Sequence, residues 1–198
     1  MIDIITTVQA CEERLEYITP IVKDFDPIIH VDYKKKGSLA TFIDMLDYKV
    51  KDYRFHLQDD IIIADDLVEY LPIVAKFMSN NNIPMLTFFY PARNSAKIAY
   101  EDGKRFMTFS NFLGPLGSMF SREFIEEMRI HASFTKQTHH DDFFIEETLT
   151  KMGKKPVLHL PILVQHNIDI VSVNGHPAES YTTSDIFDKD FVTNYLKR

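Results

Sequence analysis

The chain of 198 residues holds one cysteine, Cys11, and no tryptophan. A lone cysteine excludes an intrachain disulfide and any Cys-rich zinc site, which makes a reducing compartment the simpler expectation. No run approaches the roughly 18 apolar residues of a membrane span. The opening "MIDIITTVQACEER" meets an acid at Asp3 and has no long apolar stretch, so it does not read as a signal peptide. Positive charge is in deficit: 22 Lys and Arg against 29 Asp and Glu give a net charge of -7. That argues against gripping nucleic acid through a broadly basic surface. The compact basic clusters are "YKKKG" at 33–37 and "GKR" at 103–105, and each reads more simply as a solvated loop than as a binding patch. Also missing are G-x-x-x-x-G-K-[ST], G-x-G-x-x-G after the first strand, and G-x-S-x-G, so P-loop, dinucleotide and hydrolase-elbow chemistry are disfavoured. The expectation is one soluble, cytoplasmic domain over 1–198, large enough to bury its own core.

What is present alternates between strand and helix patterns. Strands are expected over 3–8, 27–31, 53–57, 85–89 and 117–121, with a last one over 155–164. Helix formers follow the first strand and stop at Pro20. A helix opens at a cap-type Ser38 with Leu39, Phe42, Leu46 and Val50 at helical spacing. Another starts near Asp65 or Asp66, interrupted by Pro72. Residues 90–116 read as one long irregular segment, and further helices follow from Arg122 and from Asp141, the latter stopping at Gly153. This alternation predicts an α/β sandwich with a mostly parallel sheet. The 16 Phe and 9 Tyr are read mainly as core, although Tyr90, Phe109 and Phe112 in the irregular segment are candidates to stack on a sugar or base.

Ligands of such folds collect beyond the carboxyl ends of the strands, which singles out Thr7, Asp32, Asp59, Asp60 and the residues around Gln165 and His166. In "YRFHLQDDIIIADDL" the adjacent acids Asp59 and Asp60 face apolar sequence. Like charges held against low-dielectric protein are costly unless a positive group lies between them. Magnesium or manganese suits a carboxylate corner completed by substrate phosphates, and His166 in "LVQHN" is placed to add an imidazole. The alternative is that Asp59 and Asp60 cap a turn and His166 merely closes a strand. Asp141 and Asp142 open a helix, where acids complement the macrodipole; the sharper reading is a general base. His139 and His140 beside them form a poor chelating unit, and Arg122 and Glu126 at i, i+4 read as a surface pair. Cys11 reads as a buried helix residue.

These segments together resemble the GT-A fold of nucleotide-sugar glycosyltransferases, over roughly residues 1–175. "HLQDDIIIADDL" looks like the L-[EQ]-D-D variant of the family's DxD motif, and "TTVQACEERL" is similar to its first strand and arginine-bearing helix. "HVDYKKKG", "GPLGSMFSREFIEEM" and "HHDDFFIEETLTKMGKKPVLHLPILVQHN" follow in the family's order. The resemblance implies a Rossmann-like three-layer sandwich, with 1–110 mainly on the nucleotide-sugar side and 111–198 mainly on the acceptor side. It implies Asp60 and His166 as ligands of Mn2+ or Mg2+. Thr7, Arg14, Asp32, Gln58, Asp59 and Gly117 would hold the donor; in an inverting enzyme Asp142, then Asp141, would act as base, and in a retaining one the pair would only position the acceptor. Gln58 stands where the motif carries an acid and brings no charge. The donor is expected to be a UDP-sugar. The "HLQDD" variant and the compactness resemble small phage-encoded enzymes, which would work in host cytoplasm. The acceptor is then a hydroxymethylated pyrimidine in DNA or a glycan precursor. A nucleotidyltransferase on a similar plan, or a binding module without turnover, are the competing readings.

Overall fold

The computed structural model describes residues 2–91, 94–134, 140–170 and 184–197. In chain order the strands are β1 (Ile4–Ala10), β2 (Ile28–Val31), β3 (Tyr53–Gln58), β4 (Ile61–Ile63), β5 (Met85–Thr87), β6 (Phe106–Thr108), β7 (Gly117–Ser121), β8 (Val157–His159) and β9 (Val164–His166). The α-helices are α1 (Thr19–Phe25), α2 (Ser38–Met45), α3 (Leu67–Asn80), α4 (Asn94–Glu101), α5 (Arg122–Phe134), α6 (Asp141–Lys151) and α7 (Phe191–Leu196), with a 3-10 segment at Glu12–Ile18. Seven strands form one sheet in the order β2-β1-β3-β7-β5-β8-β6, while β4 and β9 make a separate two-stranded ribbon. In the sheet β2, β1, β3, β5 and β8 share a direction, and β7 and β6 run against them. The result is an α/β sandwich with a mixed, mostly parallel sheet.

Strand alternation sorts the core into two layers. From β3, Tyr53, Phe55 and Leu57 join Val8, Met119 and Leu86 against Ile18, Ile21, Tyr70, Leu71, Val74 and Phe191, so α1, α3 and α7 cover this face. Phe120, Met85 and Leu158 face the other way, onto Leu39, Phe42, Ala96, Phe124, Phe144 and Ile145 of α2, α4, α5 and α6. Each large apolar side chain fully withdrawn from water contributes about 1.5–3 kcal/mol, so Phe55, Phe120 and Phe124, each at 0% exposure, fix how the layers sit. Among the described residues no helix is long and apolar enough to cross a membrane.

Several sequence expectations need correction. Pro20 does not stop a helix; it lies in the first turn of α1, where its missing N–H would have had no partner in any case. Ser38 is not the cap of α2, because Gly37, at φ +93°, takes that place and no side chain caps it. Residues 90–116 are not one irregular loop: they contain α4, whose inward positions are the small Ala96 and Ala99, and the three-residue β6. Short elements with small inward residues leave little periodic signal. The stretch expected as one last strand is two, β8 and β9, with Pro161 between them, a residue that cannot donate to a ladder. Strand β1 continues to Ala10, so Thr7 is not at its end. Tyr90, Phe109 and Phe112 are buried, Tyr90 packing edge-on to Phe109 with ring centroids 4.5 Å apart and Phe109 lying tilted against Phe112. Arg122 pairs with Glu123 and Glu126 with Arg129 rather than with each other.

Candidate functional site

At the carboxyl edge of the sheet the chain leaves β3 through Asp59 and Asp60 and enters β4 at once. β4 pairs antiparallel with β9, and the register sets Ile61 opposite His166. A backbone bond from Asn167 N–H to Asp60 C=O, 2.9 Å, extends that ladder to the acid itself. β9 is in turn pinned to the end of β5, because Phe88 C=O accepts the amides of Leu163 at 3.0 Å and Val164 at 3.2 Å. The late histidine is thereby carried to the early carboxylate: His166 Nδ1 lies 3.8 Å from Asp60 Oδ2, its ring edge-on to Phe89.

The positive group facing the acid pair is Arg14. Its Nη1 donates to Asp59 Oδ1 at 3.0 Å and to Asp60 Oδ2 at 2.7 Å, and all three residues are only 6% exposed. The Cys11 amide donates to the other Asp59 oxygen at 2.7 Å, so both oxygens of Asp59 are engaged. Asp60 Oδ1 is buried and has no hydrogen-bond partner among the described residues. Burial pushes the Asp59 carboxyl up, with the Cys11 amide and Arg14 opposing and Asp60 reinforcing. Burial likewise pushes the His166 imidazole down, against the pull of Asp60, which favours the neutral ring that ligates metals. Cys11 is partly exposed at the entry to the 3-10 segment rather than buried within a helix. Burial and the neighbouring Asp59 push its thiol up to about 12, leaving it inert as a nucleophile.

Whether these residues suit a divalent ion turns on donors. Asp60, with Oδ1 unpartnered among the described residues and Oδ2 3.8 Å from the His166 imidazole, together with that imidazole fits two protein ligands of Mn2+ or Mg2+. Among the described residues no third His, Cys, Asp or Glu completes a cluster. Such a site depends on substrate oxygens for the remainder, a usual arrangement for magnesium.

The other residues singled out by sequence divide. Gln58 ends β3, opposite Gln9 in register, and its amide donates to Leu116 C=O at 3.2 Å. Asp32 follows β2 beside the end of β1, its amide bonded to Ala10 C=O at 2.9 Å. Its carboxylate accepts the amides of Lys36 at 3.0 Å and Gly37 at 2.9 Å, shaping the basic loop. Burial of Asp32 opposes ionisation, but those two amides hold its carboxyl below the usual range. Gly117 begins β7 opposite Leu57, and a Cβ there would meet Val164 Cγ2 at 2.6 Å, so its bareness admits β9. Thr7 is fully buried, its hydroxyl 3.3 Å from His56 Nδ1. It lies within the sheet rather than among the edge residues.

Asp141 and Asp142 open α6. Asp141 is buried, with Oδ1 accepting the Asp142 amide at 3.0 Å and Oδ2 lacking a partner among the described residues. Burial, then the charge of Asp142, pushes its carboxyl up to about 6. Asp142 is the more open of the two, Oδ1 accepting the Phe143 amide at 2.8 Å. His140 is exposed, and His139 lies outside the described residues.

Sequence reasoning missed a polar layer on the α2 side of the sheet. Arg54 and His56 are both at 0% exposure. Arg54 Nη2 donates to Tyr48 C=O at 3.0 Å, and burial lowers the guanidinium to about 10. Burial, then Arg54, lowers His56 to about 3, so its ring is neutral under Phe42 at 5.1 Å. The signal available was the alternation in "YRFHLQ", which reads equally as a strand with one solvated face.

No protein-family model matches the chain, and none of the curated proteins does. Among solved structures the chain is similar to A197 from STIV, at 16% identity over 93% of this chain and 96% of that one, with a TM-score of 0.47. Identity that low says nothing of activity.

Proposed function

We propose that the protein is a metal-dependent glycosyltransferase that moves a sugar from a nucleoside diphosphate sugar, UDP-linked, to a hydroxyl acceptor. The observation that carries the reading is the meeting of Asp60 and His166, far apart in sequence, at the carboxyl edge of a mostly parallel sheet, with a buried Asp60 oxygen unpartnered among the described residues. Those two residues would hold the divalent ion, which when bound offsets charge on the departing diphosphate. Asp59, engaged by Arg14 and Cys11, orients rather than ligates. Gln58, Asp32 and Gly117 lie along the same edge for the donor. The acceptor hydroxyl attacks the anomeric carbon as the bond to the diphosphate breaks, and its proton passes to Asp142 or to Asp141. Asp142 is the more accessible, whereas the raised carboxyl of Asp141 is better matched to proton abstraction near neutrality.

The test is release of nucleoside diphosphate from a panel of nucleotide sugars with and without Mn2+. Asp60→Ala is expected to abolish the metal-dependent release while remaining folded, because the remaining Asp59 and Arg14 form a balanced pair. Undiminished release by that variant would remove the metal assignment. Pyrophosphate release would instead indicate nucleotidyl transfer, and binding without turnover a non-catalytic module.

A further inference from the structure

We infer that Arg14 is a resident counter-cation that makes divalent-ion binding at Asp60 and His166 conditional on the nucleoside diphosphate; the inference rests on the metal and nucleotide reading above. One guanidinium nitrogen of Arg14 bridges both carboxylates, at 3.0 Å and 2.7 Å. Among the described residues, two buried carboxylates against one guanidinium leave one negative charge uncompensated, and Asp60 Oδ1 has no partner there. A single further positive charge would balance the cluster. A divalent ion brings two, and the guanidinium cannot shed its proton to make room. The ion alone therefore turns the cluster net positive in surroundings where Coulomb energies are several times those in water. A nucleoside diphosphate, an anion of more than one charge, offsets that excess positive charge. Ion and nucleotide are thus favoured together and each is penalised alone, and by linkage each tightens the other by one and the same factor.

Arg14 is on this account a positioning residue, and its contribution is read by binding rather than turnover. Free Mn2+ is followed by electron paramagnetic resonance as wild-type protein is added, with and without saturating UDP. UDP is expected to tighten Mn2+ by roughly tenfold or more, within the usual range of coupling between sites. In Arg14→Gln, with Arg14→Met as a second neutral variant, Mn2+ alone is expected to bind several-fold tighter and the gain from UDP to shrink. Arg14→Lys keeps the charge and should keep the gain. Equal Mn2+ affinity with and without UDP in the wild type would overturn the inference. So would a folded neutral variant that weakens Mn2+ binding while preserving the UDP effect. Where circular dichroism shows the neutral variants unfolded, Arg14→Lys decides: loss of coupling in that folded variant also overturns it. Absence of Mn2+ binding under every condition would instead remove the metal reading on which the inference rests.

Discussion

Asp141 sets two electrostatic effects against each other within one residue. At the first turn of α6 the helix dipole favours its charged form by about 0.3–1 kcal/mol. Burial disfavours that form and wins, carrying the carboxyl from 3.8 to about 6. The folded value lies above the unfolded one, so the native state holds the proton more tightly. The resulting stability is fully present below about pH 4 and is lost as pH rises through about 6. Asp141→Asn removes the titration. Urea unfolding at acid and neutral pH is expected to show the wild type losing up to about 3 kcal/mol relative to the variant as pH rises, at 1.36 kcal/mol per pKa unit. Parallel pH profiles for the two proteins would contradict the burial argument. Above that same window Asp141 is ionised, as a general base requires.

Among elements, the ribbon of β4 and β9 governs the site, and it rests on a glycine. Val164 is β-branched and held in a strand, so it cannot swing clear of a methyl group placed at Gly117. Gly117→Ala is expected to cost about 1–3 kcal/mol by overpacking, seen as a lowered melting temperature, and to weaken Mn2+ binding by shifting His166. Val164→Ala in the same chain should recover both. A Gly117→Ala protein that melts and binds like the wild type would show that β9 is seated by other contacts. The ribbon also marks where sequence reading ran out. The strand "YRFHLQ", the acids after it and the histidine following the last apolar run were legible because alternation and strand-end position are local signals. Three-residue strands such as β4 and β9 carry no periodicity to read. The partner of the acid pair was not legible: the resemblance gave Arg14 a place at the donor, and only the fold brings it against Asp59 and Asp60, 45 and 46 residues on. Nor could the pattern of β3 tell that Arg54 and His56 would be roofed by α2 instead of solvated.

For the whole molecule, net charge bears on the acceptor. The total is -7, and the basic loop after β2 is already spoken for: Lys35 pairs with Glu13 at 2.7 Å and Lys36 with Asp44. The cations that would have to meet a phosphate backbone are therefore partly neutralised. We expect the protein to elute from immobilised duplex DNA at or below about 0.15 M salt, consistent with a glycan-precursor acceptor. Tight retention that collapses steeply with added salt would instead favour a modified base in DNA.

The order of residues along the chain separates the clasp between Arg14 and the acid pair from the imidazole in the time of synthesis. Those three side chains emerge from the ribosome early, whereas His166 follows only when the last strand of the ribbon is made. For most of translation the nascent polypeptide therefore carries both acids and the guanidinium but has no imidazole to offer. On the metal reading proposed above, such a chain would gain the second of its two protein ligands only when β9 is made.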